Sequence, residues 1–410
     1  MAATGREFFT ARTVAQALAE FRPGHRTNAE TVPLCHAWGR VPAAEIRATE
    51  ALPGFDRSSV DGFAVRARDT FGASEAIPAY LQVAGAVRMG AEPDADVAPQ
   101  TAIAVPTGAA LPHGADAVVM VEHTQEAMPG TIEVVRPVAP REGVVGRDED
   151  VAPGAVIGAP GRPLRAQDVA MLAACGVTEL DVHARPRVTV LATGDEVVPP
   201  QTAPVPPGHV RDALSMSIGA LVREAGGEPG SPQIIPDERE ALRTALERAV
   251  GGSDAVVICA GSSVGARDET ARAVAALPGA EIWCHGLAIK PGKPTLLADR
   301  AGIPIVGLPG NPRSALVVFR VIGMPLVRRA GGWTDEHRSA STSARLARDL
   351  PSAAGRLDVV QVRLRDGEAE PIFGPSALLS VLTGADGYLL VPEDANGLAG
   401  GEPVEVFLYG

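Results

Sequence analysis

The stretch AIKPGKP, Ala288 to Pro294, sets Lys290 and Lys293 at the two ends of a Pro-Gly pair. Pro suits the second position of a tight turn and Gly the third, where φ is positive. Such a turn keeps its end Cα atoms within about 7 Å, and two ammonium groups about 6 Å apart repel by roughly 1–3 kcal/mol at dielectrics between those of water and protein surface. In a chain of net charge −12, the arrangement reads either as a solvated surface turn or as a clamp for an anion lying between the two charges.

Other polar stretches supply complementary chemistry: TGDE (193–196), PDE (236–238), AGSSVGARD (260–268) and LPGNP (308–312). They carry Asp195, Glu196, Asp237 and Asp268 as carboxylates and Ser262 and Ser263 as hydroxyls. Gly194, Gly261, Gly265 and Gly310 leave backbone N–H groups open to an anion, and Pro309 and Asn311 flank the last of them in the same candidate binding loop. Acids gathered near lysines suit a hard divalent cation such as Mg²⁺, which takes carboxylate and water oxygens. Metal and lysines together neutralise phosphate or another oxyanion. Plainer readings exist for each piece. GLPGNP also reads as a strand-to-helix turn with Pro at N1, and TGDE as a helix start whose acids favour the dipole.

These stretches need elements that bring them together. Between residues 186 and 330, apolar strands (RVTVLA, PQIIP, DAVVICA, IPIVGL) alternate with helices near 212–225, 237–250, 267–276 and 312–321. That alternation predicts a doubly wound parallel sheet with helices on both faces. In such a sheet the strands end on one edge, where ligands bind. The four loops above leave those ends, and the lysine turn lies between the third and fourth strands.

The remainder divides by texture. Residues 8–21 predict an amphipathic helix, followed by a connector. From about Ala51 to Asp150, short β-prone runs (YLQVAGAV, TAIAVPTGAA, DAVVMVEHT, GTIEVVRPV) predict an inserted all-β module, with a turn at Pro129-Gly130. LRAQDVAMLAACGV predicts a helix capped by Gly176. After Gly331-Gly332 and a polar connector, LDVVQVRLR, GYLLVPE and EPVEVFLYG predict a C-terminal β-domain. The fold class is therefore α/β and β multidomain. The expected division is 1–25 with 182–330, 26–50 with 153–181, 51–152, and 331–410.

Within the β-module, LPGFDRSSVDGFAV carries Asp56 and Asp61, and Asp61-Gly62 also reads as a hairpin turn. Thr107 precedes a Gly, and Asp150 closes an acidic run that also suits a solvated surface. His285 has no HxH or HExxH spacing and reads as structural.

Composition narrows the class. The chain has 410 residues, 46% apolar and 21% charged, an ordinary globular balance. Its acidity and lack of basic runs argue against nucleic acid. The four cysteines show no CxxC spacing and read as reduced thiols. No apolar run has transmembrane length, and the opening MAATGREFFTARTVAQALAEF is unlike a signal-peptide core, so the cytoplasm is the expected location.

Taken in order, LPGFDRSSVDGFAV, PTGAALPHGADAVVMVE, EDVAPG, TGDE, VGARD, LAIKPGKP and GLPGNPRSAL resemble the MoeA family of molybdopterin molybdenumtransferases, which is related to the E domain of gephyrin. The resemblance implies a four-domain homodimer, its central domain molybdopterin-binding and MogA-like, with the cleft between subunits. It implies transfer of molybdate to adenylylated molybdopterin with release of AMP, and a molybdopterin adenylyltransferase and apo molybdoenzymes as protein partners. The family's functional positions carry over onto Asp61, Thr107, Asp150, Glu196, Asp237, Asp268, Lys290, Lys293 and Ser376. Glu196, Asp237 and Asp268 would hold Mg²⁺ or orient water. Asp61 and Thr107 would orient substrate, and the lysines would clamp molybdate or the pyrophosphate bridge.

The sequence departs from the family pattern at Ala260, Leu214, Gly286, Gln361, Asp386 and Val145, each replacing a glycine, a polar or a basic residue. These departures keep open a catalytically weakened pterin-binding or scaffold paralogue. A molybdopterin adenylyltransferase is a further alternative, although that family usually lacks the β-module and the terminal domain.

Overall fold

A computed structural model describes residues 11–260, 264–334 and 340–409, without the side chains of 264–268. The central sheet has the strand order 228–229, 187–193, 255–259, 303–308, 296–300, 280–285, with 233–235 also paired to 187–193. The strands from 228–229 through 303–308 run parallel. The last two, Ala280–His285 and Leu296–Arg300, form an antiparallel extension. The sequence reading leaves that pair unassigned, because the Gly- and Pro-rich segment between them interrupts any regular period.

Side chains alternate across the sheet. Val188, Val190, Val257 and Leu308 pack on one face with helices α1 (Val14–Glu20), α3 (Leu214–Glu224) and α6 (Pro312–Val318). Leu191, Val256, Ile258 and Ile305 pack on the other with α4 (Arg239–Gly252) and α5 (Val264–Ala275). Each fully buried Leu, Ile or Phe of these layers contributes about 1.5–3 kcal/mol.

The α1 helix begins at Val14, after a non-helical stretch at 11–13, while residues 8–10 of the expected helix lie outside the described residues. Thr13 and Gln16 form a reciprocal capping box that fixes the start: the Gln16 N–H donates to Thr13 Oγ1 and the Thr13 N–H to Gln16 Oε1. Helix α2 (Ala166–Ala174) ends as expected: the Val177 and Gly176 N–H groups donate to the Leu172 and Ala173 carbonyls, with Gly176 at φ 77°. The α6 helix passes into a π-helical turn at 319–323 before continuing.

The β-module is a six-stranded sheet in the order 117–120, 62–65, 101–105, 79–86, 131–134, 124–128. Paired strands 29–33/179–183 and 46–47/156–158 connect it to the centre. In the C-terminal region, strands 357–365, 368–371, 341–346, 403–408 and 387–391 close on themselves, since 387–391 also pairs with 357–365. Val359 and Tyr388 of this barrel pack into the central core, with Leu357, Phe407 and Tyr409 against it. The barrel is thereby seated against the α3 and α6 side of the sheet. Among the described residues, no helix is long and apolar enough to cross a membrane.

Candidate functional site

Strand register places the polar loops on one edge. Ala192 pairs with Cys259, Cys259 with Leu308, and Thr193 with Ile235, so the loops at 194, 236, 260 and 309 leave the sheet together. Leu296 pairs with Gly307 in antiparallel sense. The lysine turn therefore enters the sheet at that same rim. At about 4.8 Å per strand, the strand before Glu196 and the strand after Lys293 lie about 15 Å apart. Acids and lysines occupy two ends of a long rim rather than one compact cluster.

At the lysine end is a cavity of about 790 Å³ whose lining includes Lys290, Lys293, Pro309, Asn311 and Ser376. Arg313, Ser314, Arg356 and Asp358 also line it. Sequence reading missed these four. Pro291 and Gly292 form the expected turn, Gly292 at φ 125° and the Lys290–Pro291 peptide cis. Any Cβ at Gly292 would lie 2.2 Å from Val318 Cγ2, so only glycine lets the turn lie on α6. Ile289 and Lys290 pair in parallel with Leu357 and Asp358 of the barrel. Lys290 Nζ lies 3.4 Å from Asp358 Oδ2, and Arg356 Nε donates to Asp358 Oδ1 at 2.8 Å. Lys290 is thus not a charge opposed only by its neighbour, as the isolated motif suggests: a buried carboxylate answers it.

At the acidic end, the Asp237 N–H donates to Asp195 Oδ1 at 3.1 Å. Local desolvation, then the charges of Glu196 and Asp195, push the Asp237 carboxyl above its usual range. A Cβ on Gly194, at φ 142°, would fall 2.5 Å from Glu196 Oε2, so glycine lets that carboxylate fold against the backbone. Oxygen donors that raise one another's affinity for a proton suit a hard cation. Among the described residues, no three His, Cys, Asp or Glu side chains are grouped to hold a metal. Gly261, Ser262 and Ser263 lie outside the described residues, as does the Asp268 side chain. The backbone of Gly265 and Asp268 belongs to α5.

In the β-module, Thr107 meets Asp61 twice, its N–H at 2.6 Å and its hydroxyl at 3.0 Å from Asp61 Oδ1. The backbone bond first, and the hydroxyl second, hold the exposed Asp61 carboxyl below its usual range. Asp61 stands at the start of strand Gly62–Val65, and a Cβ at Gly62 would be 1.9 Å from the Val119 carbonyl oxygen. Asp61-Gly62 is therefore a strand entry, not the apex of a hairpin. Asp56 is occupied structurally by the Arg147 N–H and Arg141, both at 2.7 Å. Asp150 is exposed, its N–H on the Leu52 carbonyl. Asp61, Thr107 and Asp150 do not line the lysine cavity of the same chain.

The departing positions have local structural roles. Ala260 is buried and its N–H extends the ladder to the Leu308 carbonyl. Leu214 starts α3 and packs on the central core. The Gly286 carbonyl accepts from the Arg12 N–H, and Val145 pairs with Arg57. Asp386 Oδ2 accepts from the Leu364 N–H, and Gln361 is fully buried beside Arg313.

Three family models match the chain. Residues 10–176 match the MoeA N-terminal region (domain I and II), 189–329 a probable molybdopterin binding domain, and 343–409 the MoeA C-terminal region (domain IV). The chain is 34% identical to molybdopterin molybdenumtransferase 2 of Mycobacterium tuberculosis H37Rv, covering 97% of each chain. It is 30% identical to the molybdopterin molybdenumtransferase of Bacillus subtilis 168, covering 92% of this chain and 89% of that one. The crystal structure of the MoeA protein of Pyrococcus horikoshii OT3 superposes with a TM-score of 0.84 at 32% identity, covering 98% and 100% of the two chains. The barrel, the sheet rim and the β-module thus occur together in a known arrangement, and the chain belongs to the MoeA family of molybdopterin molybdenumtransferases.

Proposed function

We propose that the long rim of the central sheet binds an adenylylated molybdopterin and that molybdate enters the lysine cavity, with AMP released on transfer. The protein acts in molybdenum cofactor biosynthesis as a molybdopterin molybdenumtransferase. One observation carries the assignment of ends: strand register sets carboxylates and a cation-lined cavity about 15 Å apart on one edge, a span suited to an extended nucleotide.

Each residue's role follows from its chemistry. Lys290 and Lys293 attract the oxyanion, while Asn311 and Ser376 offer polar contacts in the same cavity. Glu196 and Asp237 would hold Mg²⁺ at the acidic end, with Asp268 assigned to it by the family resemblance, and the metal would neutralise phosphate oxygens. Asp61, kept ionised by Thr107, accepts hydrogen bonds from substrate. Since Asp61, Thr107 and Asp150 lie away from the cavity of their own chain, a homodimer offers them to the partner's rim. Pairing of 29–33 with 179–183, and of α1 with the central core, supports the discontinuous domain division set out above.

The test mixes purified protein with adenylylated molybdopterin, Mg²⁺ and molybdate, then measures AMP release and activation of an apo molybdoenzyme. AMP no higher than in a Glu196→Ala control would instead identify a pterin-binding scaffold. For the cavity, Lys290→Met should weaken oxyanion binding by about 1–3 kcal/mol, and unchanged affinity would remove the clamp.

A further inference from the structure

We propose that Arg313 is a further anion-binding cation of the lysine cavity, contacting the dianionic oxyanion directly, and that Gln361 positions it. The proposal rests on the oxyanion reading of that cavity. Arg313 stands in the first turn of α6, lines the cavity, and is only 8% exposed. Its Nε donates to Gln361 Oε1, and its Nη1 to the Gly374 carbonyl at 2.8 Å. Its main-chain N–H donates to the Ser376 carbonyl at 3.1 Å. A guanidinium has five N–H donors, and the two side-chain bonds use two of them.

No carboxylate among the described residues forms an ion pair with Arg313. Arg40 shows the contrast: it is equally buried, at 8%, and is answered by Glu30. A buried cation without an anion is unfavourable, and burial pushes the Arg313 guanidinium down from its usual range. An anion in the cavity supplies the missing charge. Gln361 suits this role because its amide oxygen accepts from Arg313 without neutralising it, while its Nε2 lies 3.4 Å from the Tyr409 hydroxyl. Gln361 stands where the family resemblance expects an arginine. Here the positive charge comes from Arg313, across the seam between α6 and the barrel.

Calorimetric titration of the full chain with molybdate and, separately, with AMP tests the assignment. Arg313→Gln is expected to weaken one of the two by about tenfold or more, at unchanged melting temperature. The anion affected distinguishes the metal oxyanion from the phosphoryl group. Arg313→Lys keeps the charge but loses the planar fork held by Gln361 and Gly374, so it should weaken the same anion, though by less than Arg313→Gln does. Gln361→Glu keeps the acceptor and adds a negative charge. It should weaken the same anion and flatten the salt dependence, which loss of packing alone would not do. If Arg313→Gln does not fold, Gln361→Glu decides. Unchanged affinity for both anions, with Lys290→Met still weakening binding, overturns the role of Arg313 and leaves the cavity reading intact. Affinities indifferent to Lys290→Met as well, or a parent chain binding neither anion, overturn both.

Discussion

Lys290 of the central region and Asp358 of the barrel form an ion pair across the seam between them, Nζ to Oδ2 at 3.4 Å. Asp358 is almost fully buried and also accepts from Arg356 at 2.8 Å, whereas Lys290 is more than half exposed. The carboxylate is held; the ammonium can turn toward an incoming anion. Two opposed effects meet at Asp358, which orders the cavity and also lowers its net positive charge.

Asp358→Asn separates these effects. Loss of the charge is expected to lower folding stability by about 1–3 kcal/mol, since Arg356 loses its partner and Lys290 is mostly solvated. Oxyanion affinity should rise in the same variant, because the local field becomes more positive. Denaturant midpoints and molybdate titration read the two effects independently. A fall in both would show that order, not charge, dominates the cavity.

Thr107→Val removes the hydroxyl donor to Asp61 but keeps the stronger backbone bond. Asp61 should therefore titrate closer to an ordinary carboxylate, with part of its depression left. Because the folded value lies below the unfolded one, this interaction stabilises the fold above the usual carboxylate range. It is lost as pH falls through the folded value, below about pH 4. Carboxyl ¹³C NMR titration checks the direction.

Asp237 shifts the other way, pushed up by desolvation and by the charges of Glu196 and Asp195. Its proton therefore favours the folded state below the unfolded value, and that contribution fades as pH rises through the folded one. Glu196→Gln should bring Asp237 back down and weaken Mg²⁺ binding together. Isothermal titration with Mg²⁺ across the carboxylate range is expected to show affinity rising with pH in the parent. Chelation should abolish AMP release.

Gly292→Ala tests the contact between the turn and α6. The added Cβ meets Val318 Cγ2 at 2.2 Å, and φ 125° disfavours any side chain. A loss of about 1–3 kcal/mol is expected from overpacking and backbone strain, read as a lower denaturant midpoint. An unaltered midpoint would mean that the turn does not depend on α6.

Much of this was legible without coordinates. Strand and helix alternation through 187–330 follows from strong apolar periods, and α2 ends at Gly176 because only a positive-φ residue completes that cap. The loop motifs point to the rim because parallel strands must end on one edge. The 280–285/296–300 extension was not legible, since its pairing spans an irregular segment that carries no local period. Nor was the start of α1, where the reciprocal bonds of Thr13 and Gln16 end a longer amphipathic pattern.

Residue types and their spacing along the chain settled which chemistry this protein carries: carboxylates, hydroxyls and paired lysines on loops after apolar strands. Folding alone settled which of them meet. Lys290 gained Asp358 as its counter-charge, acids and lysines were drawn to opposite ends of the rim, and Arg313 was left beside Gln361 with no acidic partner among the described residues. The physical reason is that a charge's effect depends on burial and on neighbours a few ångströms away, and those neighbours come from segments that only strand pairing and barrel closure bring together.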